Sequence, residues 1–178
     1  MSERDITDRP PPIRPFAPGA TLLQVPAAAF EATFQLLQAA GSNESCVFWY
    51  GERTERDGRV TVVRAPAQQI TRFNYHVDER ARSAMADTIA DALRPLAQIH
   101  SHPGISVEHS GYDDMMVASR RTLSLVFPLY GRRISLADWH EHIGVHEWQD
   151  DYWHLLPPLV ARRRLAIVAG AVDVRDLR

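Results

Sequence analysis

One cysteine, Cys46, occurs in 178 residues. A lone thiol excludes an intrachain disulfide framework and a cysteine-based zinc ribbon, since both need several. Charge of a single sign is not in excess either: 20 Lys+Arg stand against 22 Asp+Glu, a formal −2. That balance gives no electrostatic argument for nucleic acid or an anionic membrane as partner. No apolar run approaches the ~20 residues of a bilayer-spanning helix. The opening MSERDITDRPPP carries charges of both signs and no apolar h-region, so the expectation is a cytoplasmic protein without a secretory signal. No internal repeat is visible.

What is there reads as one globular unit. Apolar residues make up 45% and charged residues 24%, an ordinary soluble composition, and the length suits a single domain with a sizeable core. Five of the 12 prolines lie between Pro10 and Pro18. Proline has no amide proton and restricts its predecessor, so residues 1–19 are expected to be an extended or disordered arm before a domain at 20–178.

Within that domain, TLLQV (21–25) suits a strand. Pro26 suits the first turn of a helix carrying Phe30, Phe34 and Leu37 at helical spacing, with Gly41 as its stop. The apolar run 44–51 predicts a strand covered on both faces, returning through a hairpin with Asp57-Gly58 at its tip into a strand over 58–65. Further expectations are a strand at 71–77 and a helix from Asp78 and Glu79 to Leu93 closed by Pro95. A strand at 96–100, a helix at 110–120 and strands at 122–131 and 139–148 follow. A short helix and a last strand complete the chain. The pattern is α/β (α+β), without regular βαβ alternation.

The chemistry concentrates in His100-Ser101-His102-Pro103-Gly104, with Ser110 and Asp113 beyond it. Two residues apart on a strand end, His100 and His102 project from one face. Ser110 and Asp113, three apart at a helix start, also share a face. Two imidazoles and a carboxylate are a set that zinc accepts, with a fourth position left for water. By itself an HxH pair is more often structural, but the proline, serine and aspartate that follow narrow the field.

These residues resemble the JAMM (JAB/MPN) metalloprotease motif, an upstream glutamate followed by HxHPx(6)SxxD. HSHPGISVEHSGYD fits without insertion or deletion. The upstream strand of that family resembles ExxGxLxG. Glu44 to Gly51 preserves both ends and departs at Val47 and Trp49, keeping the apolar strand. The resemblance covers about residues 20–130. It implies an MPN/JAB-like (cytidine-deaminase-like) mixed sheet flanked by helices, holding one Zn²⁺ on His100, His102 and Asp113. Glu44 would be the general base and Ser110 the donor to the oxyanion, a role compatible with a helix N-cap.

It further implies a zinc isopeptidase or processing peptidase acting after the C-terminal tail of a ubiquitin-like protein or its conjugates, as in bacterial conjugation and antiphage defence operons. A processing peptidase for a sulfur-carrier protein, a non-catalytic MPN scaffold and a DNA-repair-associated relative are the alternatives. Of the remaining candidates, Asp114 neighbours the ligand position. His140, His142 and His146 form a second histidine group, read as strand or surface residues. His109 is a substrate-contact candidate, Cys46 reads as a buried small residue, and Arg162, Arg163 and Arg164 read as a solvated basic run.

Overall fold

Among the described residues, nine strands pair into one mixed sheet. The computed structural model describes residues 16–178. Its elements are β1 (Leu22–Pro26), α1 (Ala27–Ala39), β2 (Cys46–Arg53), β3 (Asp57–Ala65), β4 (Gln69–Thr71), β5 (Asn74–His76) and α2 (Glu79–Ala86). Then come β6 (Arg94–Ser101), α3 (Gly111–Met116), β7 (Leu123–Phe127), α4 (Trp139–His142), β8 (Gly144–Gln149) and β9 (Tyr152–Leu155). The chain ends with α5 (Pro158–Arg164), β10 (Leu165–Val168) and β11 (Asp173–Asp176).

The strand order is β10-β1-β3-β2-β6-β7-β8-β9, and β11 pairs with the second half of β3 beyond β1. β2 runs antiparallel to both β3 and β6, while β6 and β7 are parallel. Strands β4 and β5 form a separate hairpin.

Alternation along β2 divides the core. Val47 and Trp49 face the larger cluster with Phe30 and Leu37 of α1, while Cys46 and Phe48 face a smaller one with Tyr75, Val77 and Met85. Burial on both faces is the reason this strand is a continuous apolar run. Phe30 meets Trp49 edge-on at 5.1 Å, and the Trp49 indole donates to Thr33 at 2.8 Å, so the buried N–H is satisfied. Helix α1 begins just after Pro26, and Gly41 with φ +70° turns the chain out of it, as the sequence predicts.

Several boundaries differ from expectation. The hairpin tip lies at Thr54–Arg56, where the Thr54 hydroxyl accepts from the Arg56 and Asp57 amides; Asp57 and Gly58 already belong to β3. Residues 71–77 contain the turn between β4 and β5 rather than one strand. Helix α2 stops at Ala86, and Pro95 lies inside β6, opposite Tyr50 where the β2–β6 register shifts. An irregular register is where a sheet tolerates a missing amide. Helix α3 ends at Met116, and Pro128 ends β7 in a tight turn with Leu129 and Tyr130 at positive φ. The expected strand at 139–148 is one turn of helix followed by β8, and the chain's end supplies β9, β10 and β11 rather than one strand.

Of the expected arm, residues 1–15 lie outside the described residues. Residues 16–19 pack on the sheet: Phe16 stacks on His154 at 4.3 Å, and the Ala17 and Gly19 amides donate to Gln149 and Glu147. No helix among the described residues is long and apolar enough to cross a membrane.

Candidate metal centre

Strand β6 delivers the histidines. Ala97 and Ile99 point into the larger core, so Gln98 and His100 project from the other face. His100 is fully buried, next to the Tyr75 ring at 5.4 Å. The following loop is pinned to the end of β7: the His102 amide donates to the Phe127 carbonyl, the Tyr130 amide to His102 and the Leu129 amide to Gly104. Ser110 then caps α3 in a reciprocal capping box with Asp113. Its hydroxyl donates to Asp113 Oδ2 at 2.7 Å and accepts from the Asp113 amide at 3.2 Å. A cap of this kind fixes both the helix start and the carboxylate rotamer.

The result is a convergent donor set. The two Nε2 atoms lie 3.1 Å apart, with Asp113 Oδ1 3.3 Å from His100 and Oδ2 3.5 Å from His102. His102 Nδ1–H donates to the Ser106 carbonyl at 3.0 Å, which leaves a lone pair on its Nε2. One potential ligand atom from each of His100, His102 and Asp113 lies within 4.8 Å of the others, a group that could hold a metal ion. Two imidazole nitrogens and a carboxylate facing a common point suit a divalent cation in both charge and donor type.

Electrostatics favour the same forms. Burial, aided by His102 and His109 against the pull of Asp113, lowers the His100 pKa to about 3, so its ring is neutral near pH 7. Burial also disfavours charge on His102, but the Asp113 carboxylate, Glu44 and the Ser106 carbonyl outweigh it and raise its pKa. At Asp113 burial is likewise opposed, by His100, His102 and Ser110, and the carboxyl stays far below the usual carboxylate range.

Glu44 sits just before β2, its amide bonded to the Thr71 carbonyl at 2.8 Å. Its side chain is outside the ligand group yet lines the same cavity of about 250 Å³ as His102, Ser110 and Asp113, with Phe73 at the rim. Burial raises its pKa to about 8, with His102 opposing and Asp113 adding to the rise. A carboxyl beside, but not within, the donor set, with its proton affinity moved toward neutrality, is suited to carry a proton.

The other candidates separate. Asp114 turns away from the donor set and binds His109 at 2.9 Å. His109 is buried, bonded also to Ser124 and stacked on His146 at 3.9 Å, so it supports the centre from behind instead of touching a substrate. His140 and His142 lie on α4, and His142 faces Asp138. The Cys46 thiol is fully buried with its pKa pushed far up by burial, which removes it as a nucleophile. Arg162 and Arg163 are exposed, but Arg164 is buried beside Glu147, contrary to a fully solvated run. Tyr75 and Gln98, whose side chains are bonded to each other at 3.1 Å beneath His100, were not legible as site residues. Their only signal is alternation, which many core positions share.

A mixed sheet carrying His-x-His at a strand end and a capped aspartate opposite is the arrangement of a JAB/MPN-like domain with a candidate metal centre. The chain belongs to the family described as prokaryotic homologs of the JAB domain, whose model matches residues 26–144. A solution structure of a protein from Desulfitobacterium hafniense is similar at 16% identity and TM-score 0.63, covering 84% of this chain and 95% of that one. Another from Salinibacter ruber shows 16% identity and TM-score 0.51, covering 76% and 88%. Both likenesses concern the fold. No curated protein matches the sequence.

Proposed function

We propose that this protein is a zinc-dependent peptidase or isopeptidase that hydrolyses the amide bond following the C-terminal tail of a ubiquitin-like protein. The observation that carries the reading is the placement of Glu44, a buried non-ligand carboxyl, in the cavity formed by His102, Ser110 and Asp113. Membership of the JAB family supports it. His100, His102 and Asp113 would hold the ion, which supplies Lewis acidity and a water of lowered pKa.

The remaining steps belong to the chain. Glu44 accepts a proton from the attacking water and returns it to the leaving amine; a divalent cation held on the neighbouring donors would pull its raised pKa down and leave it ionised for that task. Ser110 has one hydroxyl proton, held by Asp113 Oδ2 in the structure. With Asp113 serving as a ligand, that proton would be free to turn to the oxyanion, so the serine would both cap the helix and donate. Phe73 and Pro103 also line the cavity, and the reading assigns it a thin, glycine-rich tail.

The test uses a ubiquitin-like modifier fused through its terminal glycines to a small tag. Cleavage after the tail, stopped by chelation and restored by zinc, is expected. Zinc-loaded protein that leaves all such fusions intact overturns the reading, and a folded protein that binds no metal at all indicates a scaffold.

A further inference from the structure

The far end of the sheet holds a second cavity that the peptidase reading does not use. It lies at the starts of β1, β3, β6 and β7, where Leu23, Leu96 and Leu123 form its floor, whereas the histidines lie at the end of β6. Its volume is about 230 Å³, and Arg53, Arg120, Arg121 and Arg164 line it against one carboxylate, Glu147. Four guanidiniums less one carboxylate leave the lining at +3.

Arg164 is the decisive member. Its side chain is 9% exposed, and its buried Nε and Nη1 have no hydrogen-bond partner among the described residues. Glu147 does not satisfy it: Oε1 is 3.5 Å from Nη2, while Oε2 accepts from the Gly19 amide at 3.1 Å. Burial disfavours the charge on Arg164 and nearby Arg53 repels it, with Glu147 only partly compensating. Buried donors on a charged group cost free energy when unmade and are rarely left so.

The neighbours are held in place. Arg53 donates to the Arg121 carbonyl at 2.8 Å, and Arg120 lies over the Trp148 ring at 4.2 Å. The Arg120–Asp151 pair at 3.6 Å is exposed on both sides and screened by solvent, so it neutralises little.

We propose that this arginine-lined cavity binds a phosphate or phosphomonoester group. Guanidinium forks match phosphate oxygens, and a dianion answers an excess of three positive charges better than a carboxylate does. The cavity is smaller than the roughly 300–1,000 Å³ that holds drug-sized ligands, which suits the phosphate end of a small molecule. Apolar walls strengthen each contact by lowering the local dielectric.

Inorganic phosphate titrated by calorimetry into the full-length protein at constant ionic strength tests this, with acetate as the comparator. Saturable one-to-one phosphate binding is expected, weakened about tenfold or more in Arg121→Ala, since a charge-assisted bond contributes roughly 1.5–3 kcal/mol. Arg164→Gln should act likewise; Arg121, an exposed side chain, carries the test if that variant does not fold. Asp113→Ala, at the other end of the sheet, should leave phosphate affinity unchanged. Absence of saturation, equal binding of acetate, or loss in Asp113→Ala but not in Arg121→Ala overturns the proposal. In the last case the phosphate was meeting a metal at the first site.

Discussion

Glu44 and Asp113 are carboxyls in one cavity with opposite proton affinities, and the difference separates their roles. Asp113 is held ionised by two imidazoles and the Ser110 hydroxyl, whereas burial leads the raised pKa of Glu44. Glu44→Gln should therefore retain metal at the parent stoichiometry while lowering turnover about 10²–10⁴-fold, and Asp113→Ala should lose metal; elemental analysis of the purified variants beside a fusion-cleavage assay reads both. A pH effect follows from the same residue. Between 4.5, its ordinary value, and about 8 the unfolded chain ionises Glu44 while the folded, metal-free protein keeps it protonated. The folded state then binds more protons, so this group's contribution makes stability fall as pH rises across that window. His100, with its lowered pKa, pulls the other way, so the parent's melting curve alone mixes the two. Comparing parent and Glu44→Gln isolates the glutamate: for chelator-treated protein, the variant's gain in melting temperature should be larger at pH 8 than at pH 5. An equal difference at both values would contradict the assigned shift.

At the scale of elements, the glycine inside β2, seven residues after Glu44, acquires a physical reason. Gly51 lies where the β2–β3 register shifts, and a Cβ there would meet the Arg59 carbonyl oxygen at 1.8 Å. A backbone atom cannot step aside, so Gly51→Ala should separate the strands and cost on the order of 1–3 kcal/mol or more. Gly104, in the loop that follows His102, has nothing within 4 Å of an added Cβ, and Gly104→Ala should leave the denaturation midpoint nearly unchanged. Chemical denaturation of the two variants checks the contrast. Element boundaries were less legible than element identities. Proline at 95 reads as a helix stop, yet the β2–β6 irregularity accommodates it in a strand. Trp139 to Trp148 reads as one alternating segment, yet Gly144 packs against Val107, where a Cβ would meet its carbonyl oxygen at 2.6 Å, and the helical turn precedes it.

Across the whole molecule, the last strand is fastened by a buried cation. Arg64 is fully buried and donates to the Thr88 hydroxyl and carbonyl, the Val63 carbonyl, and the carbonyl and carboxylate of Asp173. It thus ties β3, the segment after α2 and β11 together. Arg64→Ala leaves those acceptors unpaired and should lower stability by about 3–5 kcal/mol, the range for removing one partner of a buried pair. Asp173→Asn should cost less, because that carboxylate is half exposed. Arg64 pulls the Asp173 pKa below its ordinary value, so the pair's stabilisation is present above the usual aspartate range and is lost as pH falls below it. Urea melts should show Asp173→Asn approaching the parent at acidic pH, while Arg64→Ala stays destabilised at both pH values because its bonds to the Thr88, Val63 and Asp173 carbonyls do not titrate.

The sequence by itself determined the local chemistry: a two-residue histidine spacing puts both rings on one strand face, a serine three before an aspartate makes a cap, and a wholly apolar strand must be covered twice. Those are consequences of strand and helix periods and need no knowledge of what packs where. Glu44, 56 residues before His100, was joined to the site by the family resemblance and not by any local pattern; tertiary structure alone decided that His109 is buried behind the centre, and that Arg164 leaves its basic run to join three other arginines at the far end of the sheet. Strand order sets these meetings, and strand order depends on pairing energies between distant segments that no local pattern encodes.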